Sequence, residues 1–163
     1  MIRHATRDDF PAIKNVYNIA KKQMRQAGNT VQWQGDYPSY DMMAADMAAG
    51  ALYVLEQDGR IHGAFVFLMG EDPTYAYIEN GAWPNDAPYG TIHRIASDGT
   101  IKGVFQSCLS HCKTLSDHIR IDTHESNKAM QYLIEKSGFV KCGIIYVADG
   151  TPRIAYQYSA PVK

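Results

Sequence analysis

Apolar residues near the start of the chain recur with the period of an amphipathic helix. Asp8 precedes this pattern as a candidate capping residue, and Pro11 falls in the first turn, where the missing N–H of proline costs nothing. We therefore predict a helix that buries one face in the core. The apolar positions on that face are Phe10, Ile13, Val16, Tyr17, Ala20 and Met24.

Later segments are rich in β-type residues or alternate between apolar and polar ones, and turn signals separate them. An Asp-Gly pair between two such segments predicts a β-hairpin. Tyr75 and Tyr77 also alternate with Ala76 and Ile78, which predicts an additional strand. The two predicted hairpins comprise residues 51–57 and 61–69 around Asp58-Gly59, and residues 140–147 and 153–159 around Asp149-Gly150.

The stretch that begins at Thr91 combines a strand with a helix. Residues 92–97 predict a strand that ends at the turn Asp98-Gly99, and a helix then begins just after Lys102-Gly103. Free backbone N–H groups at such a helix start favour an anion, and Gly103 lets the main chain approach a phosphate closely. A pyrophosphate would suit this arrangement. The predicted buried positions of the helix are Phe105, Cys108, Leu109, Cys112 and Leu115.

A second strand and helix follow directly. Residues 118–123 alternate as a strand, and the next apolar stripe predicts a final helix. Gly138 falls where a residue after a helix end takes the left-handed conformation. The predicted stripe of this helix consists of Met130, Leu133 and Ile134.

The stretch 91–139, closed by Asn127 and by Gly138-Phe139, resembles the acyl-CoA-binding half of the GCN5-related N-acetyltransferases (GNAT). The resemblance extends over nearly the whole chain, with an opening strand over 1–6 and a short helix around 41–49. It implies an α/β fold with a mixed sheet, in the order β-α-α-β-β-β-α-β-α-β-β. We expect residues 1–163 to form a single N-acetyltransferase domain with a parallel strand pair in its middle.

The resemblance also implies acetyl-CoA as co-substrate and assigns residues to it. Main-chain groups of Ile95 and Ala96 match the positions that hold the cofactor arm and polarise the thioester carbonyl, and Asn127 matches a residue that contacts the arm. The residues that match the pyrophosphate loop are Lys102, Gly103, Val104, Phe105, Gln106 and Ser107.

Two departures from the family pattern affect this site. The loop pattern Arg/Gln-x-x-Gly-x-Gly/Ala has Lys102, Phe105 and Ser107 at its defining positions, so the ring of Phe105 has to point away from the phosphates. The family's frequent tyrosine, which protonates the leaving thiolate, is replaced by Ile134. Tyr132 is two residues earlier, about 200° around a helix, and therefore faces the wrong way to substitute.

Transfer to an amine needs a base, because an alkylamine with a pKa near ~10 is mostly protonated at neutral pH. His93 is the leading candidate. It lies on the strand that would carry the thioester, and residues 93–97 resemble the arylalkylamine branch of the superfamily, in which a histidine at the matching place helps deprotonate the amine. The alternative is a histidine with a purely structural hydrogen bond.

Two polar, aromatic loops predict the acceptor pocket. Trp33 and Tyr37 lie in the first loop, and Glu79 and Trp83 lie in or next to the second. Glu79 and the nearby Asp86 carry charges that would either attract a cationic amine or only solvate the loop. The alternative is that the two tryptophans only pack a satellite cluster under long loops.

Composition excludes several other classes of protein. The net charge of −1 with interspersed signs argues against a nucleic-acid partner. No apolar run reaches membrane-spanning length and no signal peptide is evident, so a cytoplasmic protein without a membrane partner is expected. Three cysteines suit a reducing compartment. A metal site from Cys108, His111, Cys112 and His124 is disfavoured, because both cysteines lie on the apolar stripe.

These observations favour an acyl-CoA-dependent N-acyltransferase. We expect it to transfer acetyl from acetyl-CoA, by direct attack in a ternary complex, to the amine of a small-molecule or amino-acid-like acceptor, without a metal. The competing hypothesis is a non-catalytic acyl-CoA-binding or sensing module with a degenerate phosphate loop. The sequence leaves a homodimer open.

Overall fold

A computed structural model describes residues 1–162 of the chain and confirms the predicted order of helices and strands. Two short 3-10 helices, Arg7–Asp9 and Pro73–Tyr75, accompany them. None of the described helices is both long and apolar enough to cross a membrane. In order, the elements are β1 (Ile2–His4), α1 (Phe10–Gln26), α2 (Tyr40–Ala48), β2 (Leu52–Gln57), β3 (Arg60–Met69), β4 (Gly90–Ser97), α3 (Val104–Leu115), β5 (His118–Thr123), α4 (Lys128–Lys136), β6 (Val140–Tyr146) and β7 (Pro152–Ser159).

The strands form the mixed sheet that the sequence predicted. Their hydrogen-bonded order is β1-β2-β3-β4-β5-β7-β6. Strands β4 and β5 pair in parallel through Gly90 with Ile119 and Thr91 with Arg120, and α3 provides the crossover that a parallel connection needs. The two predicted hairpins are confirmed, because β2 pairs antiparallel with β3, and β6 with β7.

The chain divides into two compact units, of which the first comprises residues 1–68 and 92–111. Its core contains the predicted face of α1, which packs with the apolar residues of β2 and β3. Met24, at the end of that face, is half-buried. The core residues on α1 are Phe10, Ile13, Val16, Tyr17 and Ala20.

The start of α1 differs from the prediction, because Asp8 is exposed and does not cap it. A 3-10 turn begins at Thr6 instead, and Asp9 lies three residues later, the spacing at which a side chain reaches back to the capping residue. The Asp9 carboxylate accepts from the Thr6 N–H at 2.7 Å and from Arg3 at 2.7 Å. The hydrogen bond from Arg3 lowers the pKa of Asp9 to about 2.

The second unit comprises residues 69–91 and the chain from Cys112 onward, and here the additional strand predicted at Tyr75 and Tyr77 is wrong. Asp72 accepts from the Thr74 N–H at 2.9 Å, and this cap followed by Pro73 starts a 3-10 helix instead. Tyr75 is buried and its hydroxyl donates to Asp122 at 2.6 Å, whereas Tyr77 is exposed. Tertiary contacts of Tyr75 therefore override the local alternation.

The ends of two helices also depart in part from the predicted burial. Leu115, predicted to be buried, is 46% exposed, because it is the last residue of α3. In α4, Ile134 is fully buried, while Met130 and Leu133 are half-buried. Gly138 takes the predicted left-handed conformation with φ +91°.

Arg120 of β5 holds the segment before β4 in place within the second unit. Its guanidinium lies 3.9 Å from the ring centroids of both Trp83 and Tyr89. It also donates to the Gln157 side chain at 2.9 Å and to the Asn85 carbonyl at 3.1 Å. Burial lowers the pKa of Arg120, but a guanidinium remains charged at any physiological pH. Two aromatic faces and neutral oxygens thus surround a buried positive charge.

We expect Arg120→Met to lower the free energy of unfolding by roughly 2–4 kcal/mol, because it removes two desolvated cation–π contacts and leaves buried oxygens without donors. Urea unfolding followed by circular dichroism measures this. Lys113→Met is the matched control, because the exposed Lys113 lies 4.3 Å over Tyr158 and its loss should cost about 1 kcal/mol or less. Equal losses in both variants would contradict a clamping role for Arg120.

Candidate functional site

The start of α3 is built as the sequence predicted. Gly103 has φ +76°, and the helix begins at Val104. The Ser107 N–H donates to the Gly103 carbonyl at 3.0 Å, so by helix geometry the N–H groups of residues 103–106 have no acceptor within α3. Phe105 is only 5% exposed, so its ring packs in the interior. The terminus therefore presents main-chain donors and the exposed Lys102 to solvent.

A pocket of about 450 Å³ lies beside the first turns of α3, within the first unit. Residues from β1 and β2 form its other wall. Polar and apolar groups both line it, which suits a ligand with a charged end and a less polar body. The lining residues on the α3 side are Ile101, Lys102, Gln106, Ser107 and Ser110.

Strand β4 contains a backbone irregularity that the sequence did not predict. Arg94 has φ +48°, a left-handed conformation that is uncommon for a residue other than glycine. Holding such a residue costs about 1–3 kcal/mol and requires support from surrounding structure. The irregularity lies between His93 and Ile95, and all three residues are half-buried. It therefore changes the direction of the main chain where the cofactor arm is predicted to lie.

The support comes from a bidentate ion pair. Arg94 donates through Nε to Asp46 Oδ2 at 3.0 Å and through Nη2 to Oδ1 at 2.7 Å. Its Nη1 also donates to the Tyr37 hydroxyl at 3.3 Å. The two charged side chains are only 14% and 10% exposed. Burial opposes the charge on Arg94, but Tyr37 and Asp46 outweigh it and raise the pKa of Arg94. A signal for this pair was present in the sequence, because Arg94 is a charged residue inside a predicted strand that also contains the apolar Ile92 and Ile95.

The first aromatic loop is folded against α1. Trp33 is buried and its ring meets that of Tyr17 edge-on at 5.5 Å, and the ring centroid of Tyr37 lies 6.1 Å from that of Trp33. Lys21 donates to the Gly35 carbonyl at 2.6 Å and Lys14 to the Pro38 carbonyl at 2.7 Å. These contacts place Tyr37 against Arg94, whereas the indole of Trp33 belongs to the core.

The remaining predicted acceptor residues lie in the second unit. Trp83 is half-buried, donates through Nε1 to the Tyr75 carbonyl at 2.9 Å, and packs on Arg120. The Glu79 carboxylate accepts hydrogen bonds from the hydroxyls of Tyr77 and Tyr146. Trp83 therefore has a structural role of its own, while Glu79 presents a charge on the surface.

Asn127 and the residues around it also lie in the second unit. The Asn127 side chain caps α4 by accepting from the Met130 N–H at 3.1 Å. In that helix Tyr132 is 64% exposed and Ile134 is fully buried, which confirms that their side chains lie on different faces. Tyr132 is thus not positioned as a substitute for a tyrosine at 134.

The cysteines behave as core residues. Cys108 and Cys112 are both fully buried, and burial raises the pKa of the Cys108 thiol to about 12. The His111 ring lies tilted against the ring of Tyr53, with 5.0 Å between their centroids. Residues 1–162 contain no group of three or more His, Cys, Asp or Glu side chains that is arranged to hold a metal ion.

Comparison with solved structures identifies similar proteins over the full length of the chain. An acetyltransferase of the GNAT family from Streptococcus agalactiae 2603 is 29% identical, with a TM-score of 0.89 over 99% of this chain and 96% of that one. A putative acetyltransferase from Staphylococcus aureus Mu50 is 27% identical, with a TM-score of 0.70 over 98% of both chains. A GNAT-family acetyltransferase from Listeria monocytogenes 4b F2365, at 17% identity and a TM-score of 0.70 over 98% of this chain and 94% of that one, shares the fold. No protein-family model and no curated protein matches the sequence.

We expect Asp46→Ala to lower the free energy of unfolding by roughly 3–5 kcal/mol, because it leaves a buried guanidinium without its partner. The double variant Asp46→Leu/Arg94→Met should lose less than the sum of its single variants, which urea unfolding measures as a coupling energy. The pair Lys14–Asp36, whose carboxylate is 79% exposed, is the control, with an expected coupling of about 1 kcal/mol or less. A similarly small coupling for Arg94 and Asp46 would show that the pair does not support β4.

Proposed function

Because this chain belongs to the GCN5-related N-acetyltransferase (GNAT) superfamily, we propose that it transfers the acetyl group of acetyl-CoA to the amine of a small-molecule or amino-acid-like acceptor. The observation that supports the proposal is the start of α3, where the first main-chain N–H groups have no acceptor within the helix. This helix start follows β4, the strand that contains the left-handed residue Arg94. The first feature suits a pyrophosphate and the second redirects main-chain groups toward an extended cofactor arm.

The residues at the start of α3 fit the cofactor. The pyrophosphate would accept from main-chain N–H groups of residues 103–106, with Lys102 adding a positive charge. A Cβ atom at Gly103 would have no neighbour within 4 Å, so the main chain is open to a ligand there. The arm would follow Ile95 and Ala96 of β4. For Asn127, which caps α4 in the second unit, contact with the arm stays a prediction from the sequence. Phosphate binding through main-chain groups tolerates the departures at Phe105 and Ser107, because the Phe105 ring is buried.

We expect Gly103→Val to raise the dissociation constant of acetyl-CoA at least several-fold, because a β-branched residue disfavours φ +76° and fills the space that a phosphate would occupy. Isothermal titration calorimetry measures the constant. Gly150→Val is the matched control, since Gly150 has φ +84° and equally open surroundings but lies in the β6–β7 turn. Equal affinities in wild type and Gly103→Val would exclude this placement of the pyrophosphate.

Acetyl transfer requires a neutral amine and a polarised thioester. His93 would remove the proton of the acceptor amine, directly or through one water, and the amine would then attack the thioester carbonyl. Main-chain N–H groups near Ile95 would stabilise the negative charge on the carbonyl oxygen. The C–S bond breaks with release of coenzyme A, and solvent or the proton taken from the amine can protonate the thiolate, since a thiol is acidic at ~8.5. A tyrosine at position 134 is then not required.

We expect His93→Ala to lower kcat/KM by roughly 10²-fold, because a positioned base contributes at least that much, and to leave the affinity for acetyl-CoA unchanged. The rise of kcat/KM from acidic to neutral pH should disappear with it. Steady-state kinetics with an amine panel measures both effects. His118→Ala is the matched control, because the His118 ring hydrogen-bonds Ser159 in a strand pair of the second unit.

The same measurements separate catalysis from sensing. Normal turnover with an unchanged pH profile in His93→Ala would assign His93 a structural role. Tight binding of acetyl-CoA with no turnover on any amine would instead favour the non-catalytic binding module.

A further inference from the structure

His62 of β3 connects that strand to the turn that follows β4, within the first unit. Its Nδ1 lies 2.9 Å from Asp98 Oδ2 and 2.9 Å from Thr100 Oγ1. The Thr100 hydroxyl donates its proton to Asp98 Oδ1 at 2.7 Å, so both partners offer His62 only lone pairs. Nδ1 of His62 therefore carries a proton and donates it to the turn. The side chains of His62 and Asp98 are only 14% and 13% exposed, so water competes little for this hydrogen bond.

Further contacts hold the same turn in place. The Asp98 N–H donates to the His62 carbonyl at 2.9 Å, so the main chain of His62 binds Asp98 as well as its side chain. A Cβ atom at Gly99 would lie 2.8 Å from Nε2 of Gln23, so the turn also lies against α1. Burial opposes the charge on Asp98, but hydrogen bonds from Thr100 and His62 outweigh it and lower the pKa of Asp98. The ionised carboxylate therefore remains an acceptor for His62 at neutral pH.

The tripeptide Asp-Gly-Thr of this turn occurs a second time, at residues 149–151. There, too, the aspartate accepts from the N–H and the hydroxyl of the threonine, and the glycine is left-handed, with φ +84° at Gly150 and +76° at Gly99. Within residues 1–162, no histidine hydrogen-bonds Asp149. The turn thus forms from its own three residues, and the bond from His62 is not needed to make it. His62 instead determines where the turn at 98–100 lies relative to β3.

The turn at 98–100 leads directly to the start of α3. Three residues separate it from Val104, the first residue of that helix. The residue after His62 contacts the other end of this loop, because a Cβ atom at Gly63 would lie 2.7 Å from Cγ1 of Val104. Two consecutive residues of β3 therefore fix both ends of the segment that carries the proposed main-chain donors.

We propose that His62 is a positioning residue for the cofactor, because its hydrogen bonds to Asp98 and Thr100 hold residues 98–103 in the conformation that binds the pyrophosphate. This inference rests on the proposed function, which places the pyrophosphate at the start of α3. Main-chain donors bind an anion best when their directions are fixed before it arrives, since ordering a free loop reduces the affinity. His62 acts through the loop and not by contact with the cofactor.

Hydrogen–deuterium exchange without any cofactor tests the contact itself. His62→Leu removes the donor, whereas His62→Asn keeps an N–H group near the place of Nδ1. Amides of residues 99–103 should exchange roughly fivefold faster in His62→Leu than in the wild type and at nearly the wild-type rate in His62→Asn. The amides of 149–151, in the same tripeptide, should not change, which separates local release from a general loss of stability. Unchanged exchange at 99–103 in His62→Leu overturns the proposal.

Calorimetry with coenzyme A then tests the role in binding. His62→Leu should raise Kd about tenfold, and His62→Asn should remain within about twofold of the wild type, because only the leucine variant has to order the loop on binding. The KM for acetyl-CoA should rise to a similar extent, with little change in kcat. His118→Leu, at a histidine of the second unit, is the control and should leave Kd unchanged.

The outcome for coenzyme A distinguishes this inference from the proposed function. Equal affinity in the wild type and in His62→Leu overturns the positioning role and leaves the transferase assignment intact. A similar loss of affinity in His62→Asn and His62→Leu also overturns it, because the retained N–H group should rescue binding. A wild-type protein that does not bind coenzyme A overturns the proposed function, and the positioning role with it.

Discussion

The bidentate pair between Arg94 and Asp46 is the interaction on which the arrangement of the first unit depends. Arg94 occupies a left-handed conformation in the middle of β4, and such a conformation persists only when other contacts hold it. Asp46 provides two hydrogen bonds from α2, and Tyr37 adds one from the loop between α1 and α2. One guanidinium therefore links the break in the strand to the segment that is proposed to contact the acceptor.

Charged side chains are stabilised by different kinds of partner in the two units. In the first, the buried guanidinium of Arg94 meets a carboxylate. In the second, Arg120 is buried between two aromatic rings and neutral oxygens, while Glu79 is held by two tyrosine hydroxyls. Arg120 stabilises the segment before β4 from the interior of the second unit. Loss of its partners would leave a charge in a nonpolar environment. The charge of Glu79 lies on the surface and is held there by the two tyrosine hydroxyls.

The proposed cofactor site relies on main-chain groups more than on side chains. Donors at the start of α3 exist because helix geometry leaves the first N–H groups unpaired, whichever side chains follow. Phe105 and Ser107 can therefore replace the family's small residues as long as the ring of Phe105 is buried, as it is. The side chains with specific chemistry, His93 and Glu79, are the ones that the sequence predicts for the acceptor side of the reaction.

The sequence by itself determined the order of helices and strands, the two hairpins, the helix start after Gly103 and the buried face of α1. The hairpins, the helix start and the buried face follow from local periodicity and turn chemistry, which neighbouring residues specify, whereas the complete order follows from the resemblance of the sequence to a known family. Only the tertiary structure decided the left-handed conformation of Arg94, because Asp46, which supports it, is 48 residues away in the chain. The same holds for Tyr75, whose bond to Asp122 joins residues 47 positions apart and whose segment forms a 3-10 helix where alternation predicted a strand. Local patterns carry no information about such distant partners, and in the first unit the partner Asp46 supports the left-handed residue beside the candidate site.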